Sequence, residues 1–143
     1  MIQASFAYPA DVTEADDGVT ITLPDVPEAI TGGASRAAAL DAARDCLETA
    51  LAGRIADNEP IPAPSAPGNR PLVAPGAVIA AKVALYMAMR ETGTSTAKLA
   101  ETMQLPDRDV RSMLDPARPT EIGQLEAGLA ALGRRMVLTV EPV

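Results

Sequence analysis

The spacing of apolar positions along this chain changes twice, and each change marks a new kind of element. Phe6 to Thr13 and Val19 to Leu23 are rich in β-branched and apolar residues. The gap between them, Glu14-Ala15-Asp16-Asp17-Gly18, carries an Asp-Gly step suited to a hairpin turn. Pro24-Asp25-Val26-Pro27 cannot run through a central strand, and a third short strand is expected over Ala29 to Gly32. From Ser35, a residue suited to cap a helix, the period becomes helical as far as about Ala56. Leu40, Ala43, Leu47, Leu51 and Ile55 share one face of that helix; Asp41, Asp45 and Glu48 share the opposite one. A small sheet beneath the helix is the natural way to bury such a stripe. The order is β-β-β-α. Cys46 sits at the flank of the stripe and reads as a small packing residue.

Between Asn58 and Gly76 the pattern is interrupted by prolines at 60, 62, 64, 67, 71 and 75. Proline fixes φ and removes backbone donors, so residues 59–76 are expected as an extended, semi-rigid linker, with Leu72-Val73 free to add a short strand. Residues 1–58 then form one domain and 77–143 another. The second begins with a helix over Ala77 to Thr92, followed by a short helix over Ala97 to Met103 capped by Ser95 or Thr96. Gln104-Leu105-Pro106 is a turn, Asp107 to Leu114 the next helix, and Thr120 caps a last one striped by Ile122, Leu125, Leu129 and Leu132. Met136 to Val140 is β-prone and is expected as a terminal strand. The fold class is therefore an α+β N-terminal domain joined to a mostly α C-terminal domain.

Composition narrows the chemistry. The 143 residues include no histidine and one cysteine, which removes histidine acid–base catalysis, intrachain disulfides and Cys₂ or Cys₄ zinc sites. Three aromatics, Phe6, Tyr8 and Tyr86, are too few for a platform that stacks single-stranded bases. No apolar run is long enough to span a membrane and no secretory leader is visible, so the expected address is the cytoplasm. The net charge of −7 is unevenly shared. Residues 1–68 hold 11 acids against 3 arginines, whereas 69–143 hold 9 cations against 8 acids. The first half suits a basic partner, and the second tolerates phosphate.

The sharpest candidate for function is the pair of short helices around Gln104, which reads as helix-turn-helix. Ala100 lets the two helices cross closely, while Leu99, Met103, Leu105, Val110 and Met113 fill the space between them. The second helix can lay Arg108, Arg111 and Ser112 in a major groove, where arginine pairs bidentately with guanine. Ser95, Thr96, Lys98 and Arg118 complete the candidate DNA contacts. Asp107 and Asp109 place negative charge on the reading helix, and glutamine stands at the turn position where glycine is common. Asp11, Asp16, Asp17 and Asp25 would be the carboxylates of a metal-dependent nuclease, yet turn chemistry accounts for them and no metal site is expected. Gly32-Gly33 is a strand-to-helix turn, since it lacks the longer glycine pattern and lysine of a phosphate cradle.

Several of these segments together resemble the HicB-type antitoxins. Tyr8-Pro9-Ala10, Asp17-Gly18, Pro24-Asp25-Val26-Pro27, Thr31-Gly32-Gly33 and the helix with Ala39, Ala43 and Leu47 resemble the family's N-terminal domain. Lys82 to Tyr86, Leu99-Ala100, Val110 to Pro116 and Leu125 to Gly133 resemble its helix-turn-helix form. Glu28-Ala29 departs from the Gly-Cys-like pair expected after the second proline. The resemblance implies a partial ribonuclease H-like domain without catalytic function or cofactor. It implies that this domain blocks a small basic HicA-type ribonuclease toxin, with Asp25, Asp41, Asp45 and Glu48 as candidate contacts. The second domain would bind double-stranded operator DNA as a homo-oligomer, through a dimer interface of Ile122, Leu125, Leu129, Met136, Leu138 and Val140. The alternative is a stand-alone transcription regulator whose first domain binds a ligand or oligomerises.

Overall fold

The hairpin forms where the alternation places it. In the computed structural model, which describes residues 5–142, β2 (Asp11–Ala15) and β3 (Gly18–Thr22) pair antiparallel from Asp11↔Thr22 to Ala15↔Gly18, leaving Asp16-Asp17 as the turn. β4 (Ile30–Gly33) pairs with β3, so the sheet order is β2-β3-β4. The single strand expected over Phe6 to Thr13 is divided. β1 (Tyr8–Pro9) turns away to pair antiparallel with β5 (Leu72–Val73), and β2 starts two residues later. Pro9 has no N–H to give to a continuous ladder, and the next amide, Ala10, donates instead to Pro71 O at 2.9 Å.

α1 (Arg36–Ala56) starts at Ser35, whose Oγ accepts from the Ala38 amide at 3.2 Å. It lies on β3 and β4, burying Ala39, Ala43, Leu47 and Leu51 against Val19 and Ile21. The stripe therefore begins at Ala39, and Leu40 and Ile55 are only half-buried. Gly33 explains the shift. A Cβ there would stand 2.7 Å from the Ala39 nitrogen, so a bare glycine lets the first turn of α1 press onto the sheet.

The chain falls into two compact units that divide between Ala80 and Ala81. In the first, the proline-rich segment is extended and laced to its neighbours. Tyr8 Oη donates to Pro62 O at 2.7 Å, and burial pushes its pKa up to about 12, with the Asp25 charge adding to the rise. Asp25 accepts from the amide and the hydroxyl of Ser65, both at 2.8 Å. Arg54 grips Glu28 through two parallel bonds of 2.7 and 2.8 Å and donates a third to Pro60 O. Glu48 accepts from the Gly76 amide at 2.8 Å.

α2 (Ala77–Thr92) starts at the end of the first unit, and the second is helical: the rest of α2 from Ala81, α3 (Thr96–Met103), α4 (Asp107–Leu114) and α5 (Ile122–Ala131). Leu85, Leu99, Val110, Met113 and Leu125 are at its centre, all essentially inaccessible to solvent. Gly128 of α5 admits the Met113 and Leu85 side chains, whose Cε and Cδ1 would stand 2.9 and 3.3 Å from a Cβ there. Two expectations are corrected. The residue capping α5 is Glu121, which makes no side-chain cap bond; Thr120 instead turns its hydroxyl to Ser112 O at 3.4 Å. Residues 134–142 form no strand: a strand needs ladder bonds to a neighbour, and this run belongs to neither sheet.

The lacing of the first unit has a pH signature. Bonds from Ser65 hold the Asp25 carboxyl below its ordinary pKa, and the Arg54 guanidinium does the same for Glu28. Folded values below unfolded ones mean that this stabilisation is present above the unfolded pKa values and is lost as pH falls through the folded ones. Protection of the Ala10 amide from hydrogen exchange should therefore fall on acidification from pH 6 to pH 3. In the Asp25→Asn, Glu28→Gln variant that amide should be less protected at neutral pH and change less with acid. An equally steep acid loss in the variant would exclude these two carboxylates as its source.

Candidate functional site

α3 and α4 meet at an abrupt turn, and the backbone there is unusual. Ser95 Oγ accepts from the Lys98 amide at 3.1 Å and starts α3, a cap typically worth about 1 kcal/mol. Gln104 ends it in the left-handed region at φ 58° and ψ 46°. The Leu105 amide then reaches back to Ala100 O at 2.9 Å, and Pro106 opens α4. Glycine adopts this conformation without strain, whereas a side chain costs about 1–2 kcal/mol. The turn accepts that cost at Gln104. Leu99, Ala100, Val110 and Met113 are buried between and beneath the two helices, with Met103 and Leu105 half-buried beside them.

On the outside of this pair the candidate contacts are differently placed. Arg108 and Arg111 are exposed one turn apart on α4, the Arg108 side chain at 82%. Lys98 is exposed on α3 and lies 3.9 Å from Glu101; Arg118, beyond α4, lies 3.8 Å from Asp115. Such solvent-exposed pairs bind weakly enough to be exchanged for another anion. The Ser95 hydroxyl is occupied as a cap, and Ser112 turns its Oγ inward to Arg108 O at 3.1 Å. Thr96 is half-buried. Asp107 and Asp109 occupy the first turn of α4, where the helix dipole favours carboxylates. Their negative charge thus has a local structural cause.

A residue missed by sequence reasoning fixes the far end of α4. Lys82 is fully buried in α2, and its Nζ donates to three backbone oxygens: Ser112 at 3.0 Å, Asp115 at 2.7 Å and Arg118 at 2.6 Å. Burial lowers its pKa, and the charge of Asp115 opposes that shift. The carbonyls and the negative end of α4 favour the ammonium as well. The signal in the sequence was a single cation amid Ala77-Val78-Ile79-Ala80-Ala81 and Val83-Ala84-Leu85. A lysine there must find acceptors inside the fold.

The acidic candidates of the first unit are split. Asp41 and Asp45 are exposed along α1. Asp25 and Glu48 spend hydrogen-bonding capacity on Ser65 and Gly76, and Arg54, which the sequence reading had not singled out, neutralises Glu28. Asp11 lies 3.6 Å from Arg70. Among the described residues, no three His, Cys, Asp or Glu side chains are grouped as metal ligands, and no helix is long and apolar enough to cross a membrane. Cys46 points its Sγ at Ile30 O, 3.7 Å away. Of the residues expected at a dimer interface, Leu125 and Leu129 are 0% and 5% exposed in the single chain, where they belong to the helical core. Leu138 and Val140 are 71% and 87% exposed, Ile122 is 41% exposed, and Met136 packs half-buried against the core.

The model of a family described as "HicB_like antitoxin of bacterial toxin-antitoxin system" matches residues 7–91. Similar proteins extend the match to nearly the full length. "Antitoxin HicB 2" of Photorhabdus laumondii is 36% identical over 131 residues, which cover 92% of this chain and 94% of that protein. "Antitoxin HicB" of Pseudomonas fluorescens is 34% identical over 139 residues, covering 95% and 94%. "Antitoxin HicB" of Escherichia coli is 30% identical over 135 residues, covering 93% and 98%.

Proposed function

The chain belongs to the HicB-like antitoxins of bacterial toxin–antitoxin systems, and from that membership we propose that it is a two-part, non-catalytic antitoxin. Its first unit, a partial ribonuclease H-like sheet and helix, neutralises a small basic HicA-type ribonuclease. Its second unit, with α3–α4 as a helix-turn-helix, binds the operator of its own operon as a homo-oligomer in the cytoplasm. Family membership carries the antitoxin reading. The DNA reading rests on one structural observation, the α3–α4 pair joined at the left-handed Gln104 with Arg108 and Arg111 exposed on α4.

The toxin half of the reading is tested by growth. Co-expression of this chain with the HicA-type protein should relieve growth arrest. Asp41→Lys, Asp45→Lys should weaken that relief and the complex itself, because the exposed acidic row of α1 would repel a basic partner. Rescue and complex stability unchanged by the double reversal would place the contact elsewhere.

The DNA half is tested on α4. Replacing Arg108 or Arg111 with alanine should cost ~1–3 kcal/mol of operator binding where a bidentate base contact is lost. Loss of a phosphate contact would instead weaken all sequences alike and flatten the salt dependence. Operator affinity unchanged in the double variant would exclude α4 as the reading helix.

Self-association follows from charge and from the tail. Residues 81–143 hold 8 cations and 8 acids, so one copy draws little help from long-range attraction to phosphate. A second half-site can raise avidity by ~10²–10⁴ without a new kind of contact. Val137, Leu138 and Val140 leave apolar side chains and unpaired backbone in water, a segment suited to pairing with its copy across a two-fold axis. A groove of about 380 Å³ beside it, between α5 and Met136, offers the small residues Gly123, Ala127 and Ala130 to an incoming chain. Truncation after Arg135 should therefore reduce the solution mass and the operator affinity together. A truncated chain that keeps both would assign the self-contact to other surfaces.

A further inference from the structure

Lys82 makes contacts that a core residue does not need. An aliphatic side chain would fill its place in α2, yet the chain buries an ammonium there and brings three carbonyl oxygens within 3.0 Å of it. Those oxygens belong to one short stretch. Ser112 is in the last turn of α4, Asp115 follows its end, and Arg118 closes the turn beyond. The Arg118 amide bonds to Asp115 O at 3.0 Å and the Ala117 amide to Asp115 Oδ1 at 2.9 Å, so the stretch is tied both within itself and to Lys82. Its backbone is held, while the Arg118 side chain is 67% exposed and paired only at 3.8 Å with Asp115. A fixed backbone carrying an exposed, weakly paired guanidinium is the arrangement that positions a phosphate contact with little backbone entropy left to lose on binding.

We propose that Lys82 is a positioning residue for DNA contact: it fixes the end of α4 and the 115–118 turn so that Arg118 meets a backbone phosphate beside the groove read by Arg108 and Arg111. This inference rests on the DNA-binding reading. It assigns Arg118 a sequence-independent contact and Lys82 an effect exerted only through that contact.

The test compares the full-length chain with Arg118→Ala, Lys82→Gln and the combined variant. The probes are a duplex taken from upstream of the chain's own reading frame and a random-sequence duplex, each titrated over a range of salt. Arg118→Ala should weaken binding to both duplexes and lower the slope of log affinity against log salt by about 0.9. Lys82→Gln should do the same while Arg118 is still present, and the combined variant should match either single one within about twofold. Lys82→Gln should leave neutralisation of the toxin unchanged, since its three hydrogen bonds run to residues of the second unit. Additive losses, an unchanged salt slope in Lys82→Gln, or no effect of Arg118→Ala would overturn the proposal. So would loss of the second unit's exchange protection in both Lys82→Gln and Lys82→Met, which would make the lysine a strut of the core. Failure of the unmodified chain to prefer its upstream duplex at any salt would instead remove the DNA reading itself.

Discussion

A Cβ at Gly33 would stand 2.7 Å from the Ala39 nitrogen, and one at Gly128 2.9 Å from Met113 Cε. Both distances are shorter than real contacts permit, and each marks a place where two elements meet at a residue with no side chain. This close approach is the constraint on which both units depend. A chain with three aromatics has few bulky groups with which to fill space, so its cores rely on contact between elements brought near one another. Ala39 and Ala43 face the sheet from α1, and Ala81, Ala88 and Ala100 line the helical core. Density is reached by proximity. A methyl group added at either glycine has nowhere to go without moving backbone or core side chains.

Polar bonds then fasten what packing brings together, and they differ in reach. Lys82 ties α2 to residues 30, 33 and 36 positions further along, and Asp25 ties the turn after β3 to Ser65, 40 positions away. Bonds of this span are formed only once the tertiary structure is in place, so each reports on the fold around it. The exposed ion pairs are of another kind. Lys98–Glu101 and Arg118–Asp115 are local, near 4 Å and open to water, and contribute little to stability. Their weakness leaves the cations available to a stronger anion.

Local signals in the sequence located most elements. Ser35 marks the start of α1, Asp107 to Leu114 bounds α4, and the Asp16-Asp17-Gly18 gap marks the hairpin, because caps, prolines and turn residues act over a few positions. What escaped was set by partners distant in sequence. The division of the first strand at Ala10 depends on Pro71, more than 60 residues away. The start of the α1 stripe at Ala39 goes with the close approach of Gly33, which no helical wheel contains. Lys82 was legible only as an anomaly, a charge in an apolar run, and its acceptors lie in another helix and the turn after it. In the candidate site the exposed arginines could be read from the helical period. The engagement of Asp25 and Glu48 by backbone amides, and the burial of Leu125 and Leu129, required the packed structure.

The carboxylates on α4 fit the proposed DNA reading better than they first suggest. Asp107 and Asp109 sit in the first turn of an eight-residue helix whose preceding Pro106 supplies no side-chain cap. A helix so short is marginal alone, and negative charge at its N-terminus is among the few local terms that favour it. The same charge opposes phosphate. With 8 cations against 8 acids in residues 81–143, sequence-independent attraction to DNA is weak from the outset. Weak background binding raises the ratio of specific to non-specific affinity, which is the quantity that finds one operator among many competing sites. Discrimination then falls to Arg108 and Arg111 on α4, while the buried lysine with three carbonyl partners serves the sequence-independent contact that sets where the helix lies.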